Sequence, residues 1–493
     1  MNGSNILQSK LLYWAEKKGN APCLVEANTG EVLTYSELLY AVVAIRPYLG
    51  AESQVTVSAL SGGIVDSVIW IACLIGGHMH IPISPHGTTY EFEQSIAKYA
   101  PDIILIEDEA IIGNSSRKIF TSSEVKKIIT KGRVNKKPIY LDILPKDGKV
   151  LLFTSGSTSN PKGVLLSVTQ MIITANNICR AHQLTEEDRG LTPLPFYHVN
   201  APVVSLLTTI LSGSSLIIAP KYSTSNFWKW VERYDPTWIS LVPTMVIMLL
   251  TTKKPEFLKR SSLRFIRTAS ASLPRIVLER FENKFSIPLI ETYGISEAAS
   301  TITANPLPPK VHKPGSVGFP IGIKLRICRR DQGVLVDVQQ GETGEVWIQG
   351  ENVITHYENN AGSDAFLDGW FCTGDLGYFD QDNYLFLVGR EKDVIIRGGE
   401  NIAPREIEEV LLTYPGIQEV AVVGHPDQVY GERIVAYIVI DSKSKQVMTD
   451  QIKAHIAEKL SPQKIPADIY VLVALPRGNT GKIDKKQLRD IKT

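Results

Sequence analysis

The chain has 493 residues, with 52 Lys and Arg against 51 Asp and Glu, and 44% of it is hydrophobic. This length predicts two or more folding units, because domains usually hold about 100–200 residues. A formal net charge of +1 excludes a global field that would hold nucleic acid or an anionic membrane. Five scattered cysteines without a C-x-x-C pair favour reduced thiols over a disulfide framework. The longest apolar run, 68–77, is about half a membrane span. With no signal-peptide pattern at the N-terminus, we expect a cytoplasmic protein.

Through the first two thirds of the chain, strand-like apolar segments alternate with longer helical patterns. A strand-like segment is followed by a helix-like segment in three places: 54–60 then 63–77, 238–242 then 243–251, and 265–268 then 274–285. A helix-like segment, 91–99, also precedes the strand-like segment 103–106. This alternation predicts parallel sheets with helices on their faces. From Lys324 onward the pattern changes to short alternating strands with turns. That change predicts a small antiparallel subdomain.

A domain boundary is predicted near 389–393, where a strand-like segment ends. The segments that follow are helix-like 406–413 after Pro404, strand-like 419–423 and 433–440, helix-like 449–460 and strand-like 469–473. These segments are enough for a small α+β domain. The predicted fold class is therefore α/β. A large N-terminal domain, 1–390, holds parallel and mixed sheets, flanking helices and the antiparallel subdomain, and a small mobile α+β domain follows at 391–493.

The first chemically suggestive segment is 151–163. An apolar strand runs into a loop of hydroxyl and small residues, which ends at a lysine. A phosphate cradle needs unhindered backbone N–H groups, short hydroxyl donors and one cation. Pro161 stands where a Walker A loop requires glycine, so this is not that motif. An ordinary Ser/Gly surface loop is an equal alternative. The candidate nucleotide-binding residues are Thr154, Ser155, Gly156, Ser157, Thr158 and Lys162.

The second segment, 291–297, combines an aromatic ring, a hydroxyl and a carboxylate. Tyr293 could stack on a purine, Ser296 could donate to a phosphate, and Glu297 could hold Mg²⁺ through oxygen. A strand-end turn with an exposed glutamate is the alternative.

Two further segments carry charged side chains near glycines. Asp375 ends the segment 369–375 and precedes Arg390 by fifteen residues. A carboxylate at a strand end suits the two hydroxyls of a ribose, although a simple salt bridge is the alternative. Lys482 lies in a loop rich in Gly, Asn and Thr that could bring it into a distant site. The last 33 residues carry seven Lys and Arg against three Asp and Glu. That excess is typical of a solvated face but would also suit a phosphorylated partner.

In their order and spacing these segments resemble the adenylate-forming superfamily of acyl-CoA synthetases, adenylation domains and luciferases. The resemblance covers essentially the whole chain and extends to 313–318, 344–346 and 398–408. The chain is most similar to small-acid and aryl CoA ligases, and 303–322 resembles oxalate–CoA ligases. The resemblance implies that a carboxylic acid is activated by ATP as an acyl-adenylate with release of pyrophosphate, and then transferred to the thiol of CoA.

Two other functions stay open at this point. One is a ligase that loads the phosphopantetheine of a carrier protein, although Tyr430, at a position where CoA-using relatives often have an aromatic residue, favours CoA. The other is a nucleotide-binding pseudoenzyme. Ser159 and Val168, which replace a glycine and a histidine of the family, are the features that favour it.

The resemblance also implies a role for each candidate residue. The 154–163 loop would hold the β- and γ-phosphates, and the expected catalytic residues are Lys482, Ser296, Glu297 and His198. Ser296 would contact the α-phosphate, and Glu297 would bind Mg²⁺. Lys482 would bridge the α-phosphate and the substrate carboxylate. The remaining nucleotide-binding residues are Tyr293 at the adenine, and Asp375 and Arg390 at the ribose.

The small domain is expected to rotate about Lys392 between the two half-reactions. Rotation would withdraw Lys482 and present Gly398 and Gly399 to the thiol.

The expected acyl pocket is built from His198, Asn200, Val204, Ser270, Ala271, Thr292 and Ile295. Thr292 stands where glycine usually opens the acyl channel, and its added volume predicts a short pocket and a small acid. No aspartate follows His198 to pair with an α-ammonium group, which disfavours amino acids. Ser300 stands where oxalate–CoA ligases tend to carry histidine. His78 and His80 alternate along a strand-like segment, and we interpret them as structural.

Overall fold

The computed structural model describes residues 1–50, 54–107, 117–134, 146–154, 162–358, 362–441, 448–478 and 482–491, without the side chains of Glu91, Thr154 and Ser363. The helices are α1 (Gly3–Lys18), α2 (Tyr35–Leu49), α3 (Gly63–Ile75), α4 (Thr89–Tyr99), α5 (Ser122–Val134), α6 (Val168–Ala181), α7 (Thr208–Ser212), α8 (Thr224–Tyr234), α9 (Pro243–Leu250), α10 (Arg275–Phe285), α11 (Pro404–Leu412), α12 (Thr449–Ala457) and α13 (Lys485–Arg489).

The strands of the N-terminal half are β1 (Pro22–Glu26), β2 (Val32–Thr34), β3 (Val55–Ala59), β4 (Met79–Pro82), β5 (Ile103–Ile106), β6 (Lys118–Thr121), β7 (Lys149–Thr154), β8 (Lys162–Ser167), β9 (Arg189–Thr192), β10 (Ser215–Ile218) and β11 (Trp238–Leu241). Those that follow are β12 (Phe265–Thr268), β13 (Leu289–Ile295), β14 (Ser300–Ala304), β15 (Phe319–Pro320), β16 (Lys324–Asp331), β17 (Val334–Asp337), β18 (Gly344–Gln349), β19 (Phe366–Leu367), β20 (Trp370–Phe379), β21 (Leu385–Arg390), β22 (Ile395–Arg397), β23 (Glu400–Ile402), β24 (Ile417–Asp427), β25 (Gly431–Ile440) and β26 (Asp468–Val471).

Two mostly parallel sheets form the larger part of the fold. One has the order β6-β5-β3-β4-β7-β8, and the other has the order β15-β14-β13-β12-β11-β9-β10-β1-β2. The strands β5, β11 and β12 are buried along their whole length, which is typical of parallel strands covered on both faces. Helix α3 is mostly apolar and almost entirely buried, so it lies in the core rather than at the surface. The predicted parallel sheets with flanking helices are confirmed.

A third sheet is antiparallel, in the order β17-β16-β18-β20-β19 with β21 on β20. It begins at Lys324, where the sequence pattern changes, so the predicted antiparallel subdomain is confirmed. Its register is important for the site, because Asp375 of β20 and Arg390 of β21 are direct cross-strand partners. Residues opposite each other in such a ladder lie about 4.5–5.5 Å apart at Cβ.

The C-terminal residues form a smaller unit with its own hydrophobic core. Its sheet has the order β23-β22-β25-β24 with β26 parallel to β25, and α11 and α12 contribute side chains to the core. Arg405 of α11 donates to the carbonyl oxygen of Leu387 at 2.7 Å, and Arg489 of α13 pairs with Asp393 at 2.9 Å. The Arg405 bond joins the unit to the preceding sheet, and the Arg489 pair fixes the start of the unit to its last helix. In the described part of the chain, no helix combines the length and the apolar character that a membrane span requires.

Candidate active site

The hairpin of β7 and β8 flanks the predicted phosphate loop. Thr154 pairs with Lys162 across the two strands. The predicted phosphate ligands Ser155, Gly156, Ser157 and Thr158 lie outside the described residues, so their role stays a prediction. The Lys162 ammonium lies 4.7 Å from the centre of the Tyr357 ring, a cation–π contact that holds the lysine beside the next part of the site.

A buried carboxylate, Asp375, accepts bonds from two directions. The Tyr293 hydroxyl donates to its Oδ2 at 2.5 Å, and the Arg390 Nε donates to its Oδ1 at 3.0 Å. Burial and the Asp375 anion raise the pKa of Tyr293 well above that of a free phenol, so Tyr293 stays protonated and donates. The Asp375 charge also raises the pKa of Arg390. The structure thus brings together three residues that the sequence predicted for one nucleoside.

Ser296 and Glu297 begin a short 3₁₀ turn, Ser296–Ala298, between β13 and β14. The turn is fixed by the Ile354 N–H, which donates to the Glu297 carbonyl oxygen at 2.9 Å. The Tyr357 hydroxyl donates to Glu297 Oε1, also at 2.9 Å. Burial raises the pKa of Tyr357, with the Glu297 anion as the next cause, so the phenol keeps its proton and donates a hydrogen bond to Glu297.

Lys482 lies within electrostatic range of Arg390, Asp375 and Glu297. Surrounding protein lowers the pKa of its ammonium, and the positive charge of Arg390 lowers it further, while the two carboxylates oppose this. The side chain is nevertheless solvent-accessible, and among the described residues it makes no ion pair. An exposed cation without an ion-pair partner among the described residues is free to meet an anionic ligand.

His198 lies beside the same lysine. Burial lowers its pKa to about 4, and the charge of Lys482 is the second cause, so its imidazole is neutral at neutral pH. Its Nε2 is buried and, in the described part of the protein, has no hydrogen-bond partner. His198 can therefore offer one hydrogen bond to a ligand without carrying charge.

A connected set of polar side chains includes three of the residues predicted for the acyl pocket, Asn200, Ser270 and Thr292, and we call this set the proposed pocket wall. Asn200 Nδ2 donates to Ser270 Oγ at 3.1 Å, and Arg267 donates to Asn200 Oδ1 at 3.0 Å and to Thr292 Oγ1 at 2.6 Å. Of the other predicted pocket residues, Val204 is completely buried within a π-helical turn, Ala271 is exposed and Ile295 is half-buried.

The predicted hinge and thiol-facing residues lie on the C-terminal side of Arg390. Lys392 occupies the turn Glu391–Asp393, where surrounding protein lowers its pKa and Arg390 lowers it further. Gly398 and Gly399 have φ of 59° and 84°, a left-handed backbone that favours glycine. The Gly398 N–H donates to the Tyr430 carbonyl oxygen at 2.8 Å. The exposed Tyr430 ring lies 4.9 Å from the Arg397 guanidinium.

Sequence reasoning did not find two residues of this site. Tyr357 is far along the chain from Glu297 and Lys162, and only the tertiary fold brings it between them. The sequence does contain a signal for Arg267, because it is the charged residue in the strand-like segment 265–268. The pattern of that segment predicts only a structural strand.

The described parts of the site combine a buried carboxylate with a neighbouring arginine, a second carboxylate, a free lysine and a neutral histidine. Such a set can hold the hydroxyls of a sugar and stabilise developing negative charge at a phosphate.

Residues 11–358 match the family described as AMP-binding enzyme, and residues 406–482 match its C-terminal domain. The sulfoacetate–CoA ligase of Cupriavidus necator is 40% identical over 347 residues, which cover 70% of this chain and 67% of that protein. The oxalate–CoA ligase of Arabidopsis thaliana is 39% identical over 350 residues, which cover 69% and 67%. The solved structure of o-succinylbenzoate CoA synthetase from Bacillus subtilis, in complex with the acyl-adenylate OSB-AMP, has a TM-score of 0.82 at 26% identity and covers 98% of each chain.

Proposed function

We propose specific residue roles for this chain, which belongs to the family of AMP-binding enzymes and is an AMP-forming acid–thiol ligase. It activates a small carboxylic acid with ATP as an acyl-adenylate, releases pyrophosphate, and transfers the acyl group to the thiol of CoA. The acids in the names of the three relatives reported above, sulfoacetate, oxalate and o-succinylbenzoate, each carry a second acidic group.

One observation carries the proposed roles more than any other. Lys482, from the C-terminal end of the chain, lies within electrostatic range of Asp375, Arg390 and Glu297. In the first half-reaction an anionic carboxylate must approach an anionic triphosphate, so a cation between them lowers the barrier. Lys482 is suited to that position because no carboxylate among the described residues is close enough to neutralise it by ion pairing.

The nucleoside is proposed to bind at Asp375. Its carboxylate is held in place by Tyr293 and Arg390, and a carboxylate has about four lone-pair sites, so it can still accept from ribose hydroxyls. Tyr293 then lies at the adenine. Ser296 is proposed to donate to the α-phosphate, and the 154–163 loop with Lys162 is proposed to hold the outer phosphates. His198 is proposed to donate to the acid without repelling Lys482.

Glu297 is proposed as the ligand of Mg²⁺. One of its oxygens accepts from Tyr357, which leaves the other available. A single carboxylate suits Mg²⁺, which commonly takes its other ligands from water and substrate phosphates. When bound, the ion would neutralise phosphate charge, and Tyr357 would keep the carboxylate oriented towards it.

Tyr430 and Arg397 are proposed to contact the nucleotide part of CoA. Tyr430 is exposed, and its ring is already in a cation–π contact with Arg397, so the pair offers a flat aromatic face and a positive charge to a nucleotide. Residues 1–390 and 391–493 are proposed to be the two domains, with rotation about Lys392 moving Gly398 and Gly399 towards the adenylate.

The test is a screen of short, aryl and dicarboxylic acids with ATP and Mg²⁺, with and without CoA. We expect pyrophosphate and AMP from the first step, and acyl-CoA only when CoA is present. ADP and orthophosphate as products would refute the adenylate mechanism. ATP binding without any turnover would instead support the pseudoenzyme.

Lys485 offers a matched control for Lys482 in this screen. It is another lysine of the C-terminal end, but its ammonium is paired with Glu408 at 2.7 Å. Lys485→Met should therefore retain AMP formation, whereas Lys482→Met should lose it. Equal activity of the two variants would contradict the role of Lys482.

A further inference from the structure

The interior beside the proposed acyl pocket contains a completely buried arginine. Arg267 of β12 has no exposed surface, and burial lowers its pKa to about 9. Its bonds go to neutral oxygens, namely Asn200 Oδ1, Ser240 Oγ, Thr292 Oγ1 and Thr301 Oγ1, and its Nε has no partner. Within the parts of the chain that the structure describes, no carboxylate pairs with it.

A buried charge without a counter-charge is unusual. Removing an ion from water costs several kcal/mol, and proteins normally compensate with an opposite charge. Arg267 has polar neighbours but no anion, so the protein alone leaves this positive charge uncompensated. An anionic group of a ligand nearby would provide the missing charge.

The hydrogen bonds of Arg267 give the pocket wall a fixed polarity. Arginine can only donate, so the oxygen of the Asn200 side chain must face it and the amide NH₂ group must point the other way. That NH₂ group donates to Ser270 Oγ at 3.1 Å. The Ser270 hydroxyl, which accepts this bond, keeps its own proton to donate elsewhere. The relay of Arg267, Asn200 and Ser270 thus ends in a donor.

The end of this relay is open to a ligand. Ser270 is exposed, and its φ of 75° holds it in a region that non-glycine residues rarely adopt. Strained backbone of this kind persists where the surrounding structure fixes it, often at binding sites. Thr292, on the other side of Arg267, has no proton left to donate, since its hydroxyl accepts from Arg267 and donates to the Thr268 carbonyl oxygen at 3.1 Å. The free donor of the wall is therefore at Ser270.

We propose that Arg267 is a positioning residue that selects acids with a second anionic group, a carboxylate or sulfonate, which the Ser270 hydroxyl and the Asn200 amide bind at the end of the pocket. This inference rests on the proposed function, because it concerns the acid that the ligase activates. The carboxylate to be activated faces Lys482, and the second anion faces the relay.

The experiment compares matched pairs of acids on the full-length enzyme by pyrophosphate release. Sulfoacetate is paired with methylsulfonylacetate, and malonate with monomethyl malonate, so that the members of each pair differ mainly in the second charge. We expect the wild type to have a kcat/KM at least tenfold higher for the charged member. Arg267→Met should reduce this ratio by roughly 10- to 100-fold, the effect typical of a lost hydrogen bond to a charged group. Arg267→Lys should retain part of it.

Two other variants separate selectivity from stability. Asn200→Asp gives Arg267 a carboxylate partner and should fold even if Arg267→Met does not. Its negative charge should reverse the preference, so that the member of each pair with a single negative charge becomes the better substrate. Ser240→Ala removes another acceptor of the same guanidinium nitrogen but lies outside the relay. It should change the ratio less than about twofold.

The outcomes distinguish the two proposals. No pyrophosphate with any acid would overturn the ligase function. If pyrophosphate release were as efficient with the singly charged acids as with their doubly charged partners, the ligase function would stand and the proposed selectivity would be overturned. Equal losses for both members of each pair in the Arg267 and Asn200 variants would mean a merely structural role, and would also overturn it.

Discussion

Replacing Lys482 with alanine should separate the two half-reactions. The lysine lies near Asp375, Arg390 and Glu297, the residues proposed to hold the nucleotide, and it comes from the unit proposed to rotate away after the first step. Its charge should therefore stabilise the transition state of adenylate formation and not that of thioester formation. The alanine variant removes that charge and leaves the proposed nucleoside ligands unchanged.

The size of the effect follows from the surroundings of the ammonium. Two unit charges about 4 Å apart interact by roughly 4 kcal/mol near a protein surface. Removing one preorganised donor from a reacting centre typically costs about 3–4 kcal/mol, or roughly 10²–10³-fold in rate. Since Lys482 has no ion-pair partner among the described residues, little of its charge is neutralised before the substrates bind. We expect the full loss rather than a fraction of it.

Single-turnover assays of each half-reaction provide the measurement. Adenylate formation from ATP and acid should slow by about 10²–10³-fold in Lys482→Ala. Conversion of supplied acyl-adenylate and CoA to thioester should continue near the wild-type rate. The pH dependence gives a second readout. Because the pKa of Lys482 is lowered, the lysine loses its proton at a lower pH than an ordinary lysine, and the wild-type adenylation rate should fall on that alkaline side. Lys482→Arg should lack this decline.

Equal losses in both half-reactions would refute the reasoning. They would mean that Lys482 either supports the fold or acts in both steps from one position. Lys485→Ala provides the comparison, because that lysine is engaged with Glu408 and should affect neither half-reaction by more than a few-fold.

Three further predictions concern the hinge, the pocket and pH. Lys392→Pro should spare adenylation and block thioester formation, because proline fixes φ near −65° and would restrict the proposed rotation about this residue. Single-turnover assays of each half-reaction provide the measurement. Thr292→Gly should extend activity towards longer acids. Because it also removes an acceptor of Arg267, the melting temperature should fall. A wild-type preference for palmitate-length acids would contradict the pocket argument. Burial raises the pKa of Glu291 from 4.5 to about 7. The folded state therefore binds more protons than the unfolded state in this range, and stability should decrease as pH rises from about 4.5 to 7, by up to about 3 kcal/mol. Denaturant unfolding of Glu291→Gln should show a flatter pH profile.

The parts of the fold that could be predicted are those with local periodic signals. The helix at 91–99 is observed as Thr89–Tyr99, and the helix predicted at 406–413 after Pro404 is observed as Pro404–Leu412. The pairing of β1 with β10 could not be predicted, because it joins segments about 190 residues apart through backbone bonds that leave no pattern in either one. The π-helical turn Asn200–Leu207 was also missed.

The candidate site likewise contains residues that the sequence predicts and residues that only the tertiary fold brings together. The sequence predicts that Asp375 and Arg390 share one site, and the structure pairs them across one hairpin, which explains their fifteen-residue spacing, while their binding of a ribose stays a prediction. Tyr357 was missed because nothing near it in sequence indicates a partner at Glu297. Arg267 was missed although an arginine in a fully buried strand requires an explanation.

The position of Arg390 connects nucleotide binding to the boundary of the C-terminal unit. Arg390 is the last residue of β21, it binds Asp375, and Lys392 follows it by two residues. The next residue, Asp393, is held by Arg489 from the last helix. Lys392 therefore lies between two ion pairs, Arg390 with Asp375 on its N-terminal side and Asp393 with Arg489 on its C-terminal side, and each pair lies within one of the two proposed domains. This arrangement would let the proposed rotation take place without breaking the Arg390–Asp375 pair that is proposed to hold the nucleoside, and two successive reactions on one bound adenylate require such a separation.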